Sequence, residues 1–343
     1  MKKKIAIVTG SSGQDGSYLC ELLIKKSYKV IAADRRSSRD NKWRHKFLKI
    51  DDKLIYEDFD LGDLNSIVAL FRKYKIDEFY NLAAQSFVAA SFKTPLSTSE
   101  ITGIGVLRII DCIKNYQPKV KFYQASSSEM YGNSKLKFQD EYTKFNPRSP
   151  YAVAKLFGHH ITKNYREAYN LFLCSGILFN HESPLRGDEF VTKKIVKHLV
   201  EVKKKERSHL ELGNLYAKRD WGYAKDYVQA MWLMLQKKIP EDYVIATNKS
   251  HSVKFFSDLV LKALKFNYKW VGKGINEKAI DKLTRKPLIK INKKFYRPAE
   301  VNFLKGSYKK AKNQLKWRPK TSIKELVKIM VDFELKNSSY KNS

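Results

Sequence analysis

The chain has 343 residues, with 67 Lys and Arg against 35 Asp and Glu, a formal net charge of +32 and an apolar share of 43%. That apolar share supports a folded core and excludes a disordered basic protein, and at this length one large domain or two coupled ones is expected. The charge invites an anionic partner, but 53 of the cations are Lys and 14 are Arg, spread along the chain; nucleic-acid readers lean on Arg, so the surplus reads as solvated surface.

In chain order, residues 5–9 form a short apolar run and 17–26 carry helical spacing. Apolar or strand-like runs follow at 29–33, 54–60, 78–84, 120–126 and 171–178, interleaved with helical patterns at 64–74, 104–114 and 151–169. Strands alternating with helices predict an α/β chain with a Rossmann-type, doubly wound parallel sheet covered on both faces. Beyond residue 180 the pattern loosens. Helices are expected at 191–205, 226–235 and 253–264, a strand at 244–246 and a polar surface loop over 272–294. Ser322 and Glu325 have capping-box spacing ahead of a last helix at 323–334.

Lys2 to Lys4 precede only four apolar residues before a Gly/Ser turn, too short for a secretory h-region. No stretch nears 18 uninterrupted apolar residues, so no membrane span is expected. Cys20, Cys112 and Cys174 are odd in number and widely spaced. They read as small buried hydrophobes, with no metal pattern and no disulfide framework. A reducing, cytoplasmic setting is expected, with no metal and no nucleic-acid partner.

The first apolar run enters Thr9-Gly10-Ser11-Ser12-Gly13-Gln14-Asp15-Gly16, and a helix follows. Glycine admits positive φ and close backbone approach to a pyrophosphate, and a helix N-terminus offers free N–H groups to it. At the first strand-to-helix turn this marks a dinucleotide site. The second strand ends in Asp34-Arg35-Arg36-Ser37-Ser38. An acidic group there hydrogen-bonds the NAD ribose, whereas Arg accommodates the extra phosphate of NADP. Two Arg and two Ser point to NADP, and Asp34 keeps NAD open. The domain reading is 1–180 mainly dinucleotide-binding, 181–336 mainly a smaller mixed α/β substrate-binding domain with some chain exchange, and a frayed tail at 337–343.

Tyr151 and Lys155 form Tyr-x-x-x-Lys on one helix face. A cationic Lys near a phenol is expected to lower its pKa from about 10 toward neutrality, making Tyr151 a usable base. Ser127 and Glu129 follow the strand at 120–126. A strand-end hydroxyl can hydrogen-bond the oxygen that changes protonation, which completes a carbonyl/carbinol hydride-transfer site. Glu129 adds what simple redox does not need. Once C4 of a sugar is a ketone, the C5 proton is acidic, and a carboxylate can remove it and help expel the C6 hydroxyl as water.

These residues resemble the extended short-chain dehydrogenase/reductases, and within them the GDP-mannose 4,6-dehydratase group. The similarity runs over nearly the whole chain: TGSSGQDGSYL at 9–19, RRSS at 35–38, YNLAAQSFV at 80–88, FYQASSSEMYG at 122–132 and PRSPYAVAK at 147–155. It continues through GILFNHESPLRG at 176–187, FVTKKI at 190–195, AKRDWGYAKDYVQAMWLMLQ at 217–236 and FYRPAEV at 295–301. The resemblance implies catalysis by Ser127, Glu129, Tyr151 and Lys155, with Ser127 standing where the family usually has Thr. It implies cofactor contacts from Gly10, Gly13, Gln14, Asp15, Arg35, Arg36, Ser37, Asp60, Leu61, Leu82, Ala83, Gln85, His181 and Arg186, beside Asp34, Tyr151 and Lys155. For a GDP-sugar it implies Ser86, Ser127, Glu129, Asn180, Lys193, Arg219, Arg297 and Glu300. It also implies a homo-oligomer, dimer or tetramer, with the loop around Arg35–Arg44 at a subunit contact.

The activity expected is conversion of GDP-mannose to its 4-keto-6-deoxy sugar. A related group acts on GDP-manno-heptose, and the core motifs do not separate hexose from heptose because the extra carbon extends past C6. The alternatives are a C4 dehydrogenase or epimerase that keeps the C6 oxygen, and a basic nucleic-acid binder on an inactive scaffold. Glu129 weighs against the first, and the intact Ser127, Glu129, Tyr151 and Lys155 set against the second.

Overall fold

A computed structural model describes residues 3–38, 40–134, 136–296 and 301–337. β1 (Ile5–Thr9), α1 (Gln14–Lys25), β2 (Lys29–Asp34), α2 (Trp43–Phe47), β3 (Ile55–Asp58), α3 (Leu64–Lys73) and β4 (Glu78–Asn81) set up the alternation. α4 (Val88–Ser91), α5 (Pro95–Ser99) and α6 (Gly105–Tyr116) lead to β5 (Lys121–Ser127), α7 (Pro150–Tyr169) and β6 (Leu173–Leu178). The rest is β7 (Asn180–Glu182), α8 (Val191–Lys203), β8 (Leu210–Leu212), β9 (Lys218–Arg219), β10 (Trp221–Tyr223), α9 (Ala224–Leu235) and β11 (Tyr243–Ile245), then β12 (His251–Ser252), α10 (Val253–Ala263), β13 (Tyr268–Val271), β14 (Lys278–Asp281), β15 (Pro287–Ile291), α11 (Lys309–Leu315) and α12 (Ile323–Asn337).

Among the described residues, seven strands form one sheet in the order β11-β6-β5-β4-β1-β2-β3, with every neighbouring pair parallel. Strand side chains alternate between the two faces. Ile7, Phe79 and Phe122 enter the core under α3 and α6 with Leu70, Ile109 and Ile113. Val8, Tyr80 and Tyr123 enter the one under α1 and α9 with Leu19, Leu23 and Met231. Cys20, Cys112 and Cys174 are free thiols buried in these layers. Strand order reverses between β1 and β4, so their carboxyl ends open a crevice for a ligand.

The second half of the chain builds a separate layer around Leu199, Leu212, Trp221, Phe256, Ile289 and Met330. It also returns α9, β11 and α11 to the large sheet and its core. The polar loop expected over 272–294 is corrected here: β14 and β15 lie within it, in a sheet ordered β13-β14-β15-β8. Ala279, Leu288 and Ile289 are buried in this lobe. Two strands of four and five residues among Lys side chains leave too few alternations for a strand signal. Residues 338–343 of the expected frayed tail lie outside the described residues. Among those described, no helix is long and apolar enough to cross a membrane.

Candidate active site

The crevice is built by close backbone approach. The Thr9 hydroxyl donates to Asn81 Oδ1 at 2.8 Å and accepts from the backbone N–H groups of Leu82 and Ala83 at 3.2 and 3.3 Å, which holds the ends of β1 and β4 side by side. Gly10 has φ of +65°, and a Cβ there would stand 2.9 Å from the Ala83 nitrogen; at Gly16 a Cβ would meet the Gly10 carbonyl oxygen at 2.2 Å. Glycine alone fits both places. Gly13 is the N-cap of α1 and no side chain caps that end. A cradle that a Cβ would fill, facing a helix N-terminus, fits a dinucleotide pyrophosphate.

Beside it, Arg35, Arg36 and Ser37 are exposed after β2. The Asp34 carboxylate turns back to the loop, accepting from the Ser11 hydroxyl and from Ser12 N–H. Arg44, in the α2 helix that follows, donates to Ser12 O at 3.0 Å and to Leu185 O at 2.8 Å.

The catalytic candidates come from two neighbouring elements. β5 ends at Ser127, whose hydroxyl accepts from Glu129 N–H at 3.2 Å and caps the tight turn Ser128–Tyr131. α7 starts at Pro150, with the Ser149 hydroxyl accepting from Ala152 N–H at 3.1 Å, so Tyr151 sits in its first turn and Lys155 one turn later. Glu129, Tyr151 and Lys155 are buried. With Ser127 they line one cleft of about 800 Å³, shared with Asp15, Leu82, Ser86, Asn180, His181, Arg186 and Arg219.

Electrostatics here differ from the expectation. Burial pushes the Tyr151 phenol up to about 12; a Ser127 hydrogen bond and the Arg186 charge lower it, and the Glu129 charge raises it. Burial pulls Lys155 down to about 8, with Asp15 opposing. Lys155 Nζ donates to Ala125 O at 2.8 Å and lies 5.9 Å from the Tyr151 ring centre. The expected lowering of Tyr151 by Lys155 is therefore corrected: desolvation dominates both groups, and the ammonium is engaged with a carbonyl.

Asp15 and His181 join the phosphate loop to the other lobe. His181 Nε2 lies 2.7 Å from Asp15 Oδ2, and Nδ1 lies 2.7 Å from Phe179 O. Gln14 donates to His181 O and accepts from Ser183 Oγ. Asp60, Leu61, Ala83 and Gln85 lie just past the carboxyl ends of β3 and β4, along the crevice. The Asp60 carboxylate accepts from Gly62 N–H at 2.8 Å, and Gln85 N–H donates to Thr102 Oγ1 at 3.1 Å.

Lys193 is the clear displacement. It is fully buried, pairs with Glu334 and donates to Pro184 O at 2.7 Å, away from the cleft lining. Its neighbour Lys194 lines the cleft instead, together with His198. Adjacent helical residues point about 100° apart, so a motif of two lysines does not disclose which one faces the ligand. Lys194 Nζ stands 3.3 Å from the Phe295 ring centre. His198 has its Nδ1 shielded from water without a partner among the described residues. Burial, with Arg207 near, pushes that ring down to about 4. Helical spacing from Lys194 was the signal for His198. Arg297 and Glu300 lie outside the described residues, and among those described no cluster of metal-ligating side chains occurs.

The parallel sheet, the glycine turn after its first strand, and Tyr-x-x-x-Lys facing a strand-end Ser and Glu in a lobe-spanning cleft define an extended short-chain dehydrogenase/reductase. The family model described as GDP-mannose 4,6 dehydratase matches residues 7–330. The chain is 46% identical to the GDP-mannose 4,6 dehydratase of Drosophila melanogaster, over 97% of this chain and 87% of that protein. It is likewise 46% identical to that of Homo sapiens, over 97% and 92%. The solved dTDP-glucose 4,6-dehydratase of Streptomyces venezuelae, with NAD and TYD bound, shares the fold at a TM-score of 0.84 and 19% identity, covering 98% of this chain and 99% of that one. The chain belongs to the GDP-mannose 4,6-dehydratase family.

Proposed function

We propose that this protein is a nucleotide-sugar 4,6-dehydratase that converts GDP-mannose to GDP-4-keto-6-deoxymannose and water. The observation that carries the reading is Glu129 in the same cleft as Ser127, Tyr151 and Lys155, in a chain of this family. A nicotinamide cofactor, when bound, supplies the hydride acceptor for C4 and the hydride donor for C6. Tyr151, once deprotonated to the phenolate, takes the proton of the C4 hydroxyl at Oη, and the Ser127 hydroxyl hydrogen-bonds that oxygen. Glu129 removes the C5 proton made acidic by the C4 ketone and passes it to the departing C6 hydroxyl, so water leaves and the carboxylate is restored. The proton held at Tyr151 Oη returns to C5 after C6 is reduced, which leaves the protein unchanged. Arg219 and Lys194 are the cleft cations for the GDP pyrophosphate, and Asn180 and Ser86 orient the sugar.

NADP is the proposed cofactor. Support comes from the exposed Arg35, Arg36 and Ser37, and from an Asp34 carboxylate bonded to the phosphate loop. The buried free thiols fit a cytoplasmic setting, and a dimer or tetramer is the proposed assembly. The test is mass analysis after incubation with GDP-mannose or GDP-manno-heptose. A product lighter by one water from GDP-mannose is expected. No water loss from either sugar refutes the reading, and loss from the heptose alone reassigns the substrate.

A further inference from the structure

Ser11 and Ser12, inside the phosphate turn, are held by three side chains from the elements next to it. Asp34 Oδ2, at the end of β2, accepts from the Ser11 hydroxyl and from Ser12 N–H at 3.0 Å. The two carbonyls of the turn go to α2. His45 Nε2 lies 2.8 Å from Ser11 O, and Arg44 Nη1 donates to Ser12 O at 3.0 Å. A carbonyl only accepts, so His45 Nε2 carries the proton and Nδ1 accepts from the Tyr56 hydroxyl at 3.1 Å. Ser11 and His45 are fully buried, where a polar group left unpaired is expensive. Arg44 Nε also donates to Leu185 O at 2.8 Å, which ties the segment before Arg186 to the same helix.

An acidic side chain at the end of β2 ordinarily bonds the adenosine ribose. Here one of its oxygens serves two donors of the phosphate turn. We propose that Asp34, Arg44 and His45 are positioning residues that preorganise this turn for the pyrophosphate, and that Asp34 strengthens binding of NAD and NADP alike instead of discriminating between them. Cofactor choice then rests on Arg35 and Arg36. This inference rests on the nicotinamide-cofactor reading above.

The test is titration calorimetry of NADP and NAD on the full-length protein and on Asp34→Asn, Ser11→Ala, His45→Ala and His45→Gln. Asp34→Asn and Ser11→Ala should each weaken both nucleotides by about tenfold, the effect of losing one buried hydrogen bond to a charged group. The ratio of the two Kd values should hold within about threefold, and the double variant should lose less than the product of the two single effects, because both break one contact. His45→Ala should weaken both nucleotides in parallel. His45→Gln, whose amide can donate to Ser11 O, should recover most of that loss, which a merely structural role would not show. Asp34→Asn that tightens NADP while loosening NAD, unchanged affinities, or full additivity each overturn the proposal. Should Asp34→Asn fail to fold, Ser11→Ala and the His45 pair decide alone. A wild-type protein that binds neither nucleotide refutes the cofactor reading itself, before any variant is compared.

Discussion

Lys155 carries a charge in a place where the fold alone would be better without one. It is 4% exposed, and its Nζ donates to Ala125 O at 2.8 Å. Burial draws its pKa from 10.5 to about 8, and at about 1.4 kcal/mol per unit this places roughly 3 kcal/mol against the folded state at neutral pH. Lys155→Met keeps the length of the side chain and removes the charge. It also deletes a hydrogen bond from a charged group, worth about 1.5–3 kcal/mol, so a net gain of up to about 1.5 kcal/mol is expected at pH 7. The sign with pH is specific. A base whose folded pKa lies below its unfolded value binds more protons when unfolded, so wild-type stability from this group is lowest below pH 8 and rises between about 8 and 10.5. Urea denaturation of both proteins at pH 7, 8, 9 and 10, without nucleotide, isolates the effect, because other groups titrate in both and cancel. Turnover by the variant should fall by at least about 100-fold. A Met variant less stable than wild type at pH 7, or a stability difference that does not shrink toward pH 10, refutes this account of Lys155.

Glu129→Gln should cut water loss from GDP-mannose by at least about 100-fold, measured by product mass, with loss of C5–H exchange in heavy water and an unchanged melting temperature. Gly10→Ala places a Cβ 2.9 Å from the Ala83 nitrogen at φ of +65°, and calorimetry should show cofactor affinity reduced by more than about tenfold. The Asp15–His181 pair predicts a pH window. Burial disfavours the charged ring, but Asp15 outweighs it and raises the pKa of His181, while the Asp15 carboxyl is lowered: burial would raise it, and the His181 charge prevails. The ring's contribution to stability is therefore full below its unfolded pKa of about 6.5 and fades as pH rises through the folded value; the carboxylate's is present above about 3.9 and fades as pH falls through its own folded value. His181→Gln should thus destabilise more at pH 5.5 than at pH 8.5 in denaturant melts, and an equal effect at both would remove the ion pair from the account.

The motifs legible in the sequence are those whose chemistry lies within one contiguous stretch. Gly10 to Gly16 encode their own turn, because only glycine fits between β1, β4 and α1. Tyr151 and Lys155 encode their shared face through helical spacing, and Ser149 and Pro150 encode where that helix begins. The alternation of apolar runs with helical patterns is enough for the parallel sheet, since a strand buried on both faces must be apolar and its crossover must be amphipathic.

What only the tertiary structure decided depends on how distant segments meet. Lys193 and Lys194 are equivalent on paper, and packing of α8 against α12 sends the first to Glu334 and the second to the cleft. Asp34 reads as a ribose ligand until the phosphate turn places two donors on one of its oxygens. The polar stretch at 272–294 becomes two strands because β8 and β13 flank them. The spacing of Tyr151 and Lys155 predicts a lowered phenol pKa, but burial raises it, because desolvation outweighs a neighbouring charge. The +32 charge follows from composition, but which few cations face the cleft does not. Residue identity sets what a side chain can do; the desolvation and partners that decide what it does arise only when sequence-distant elements close around it.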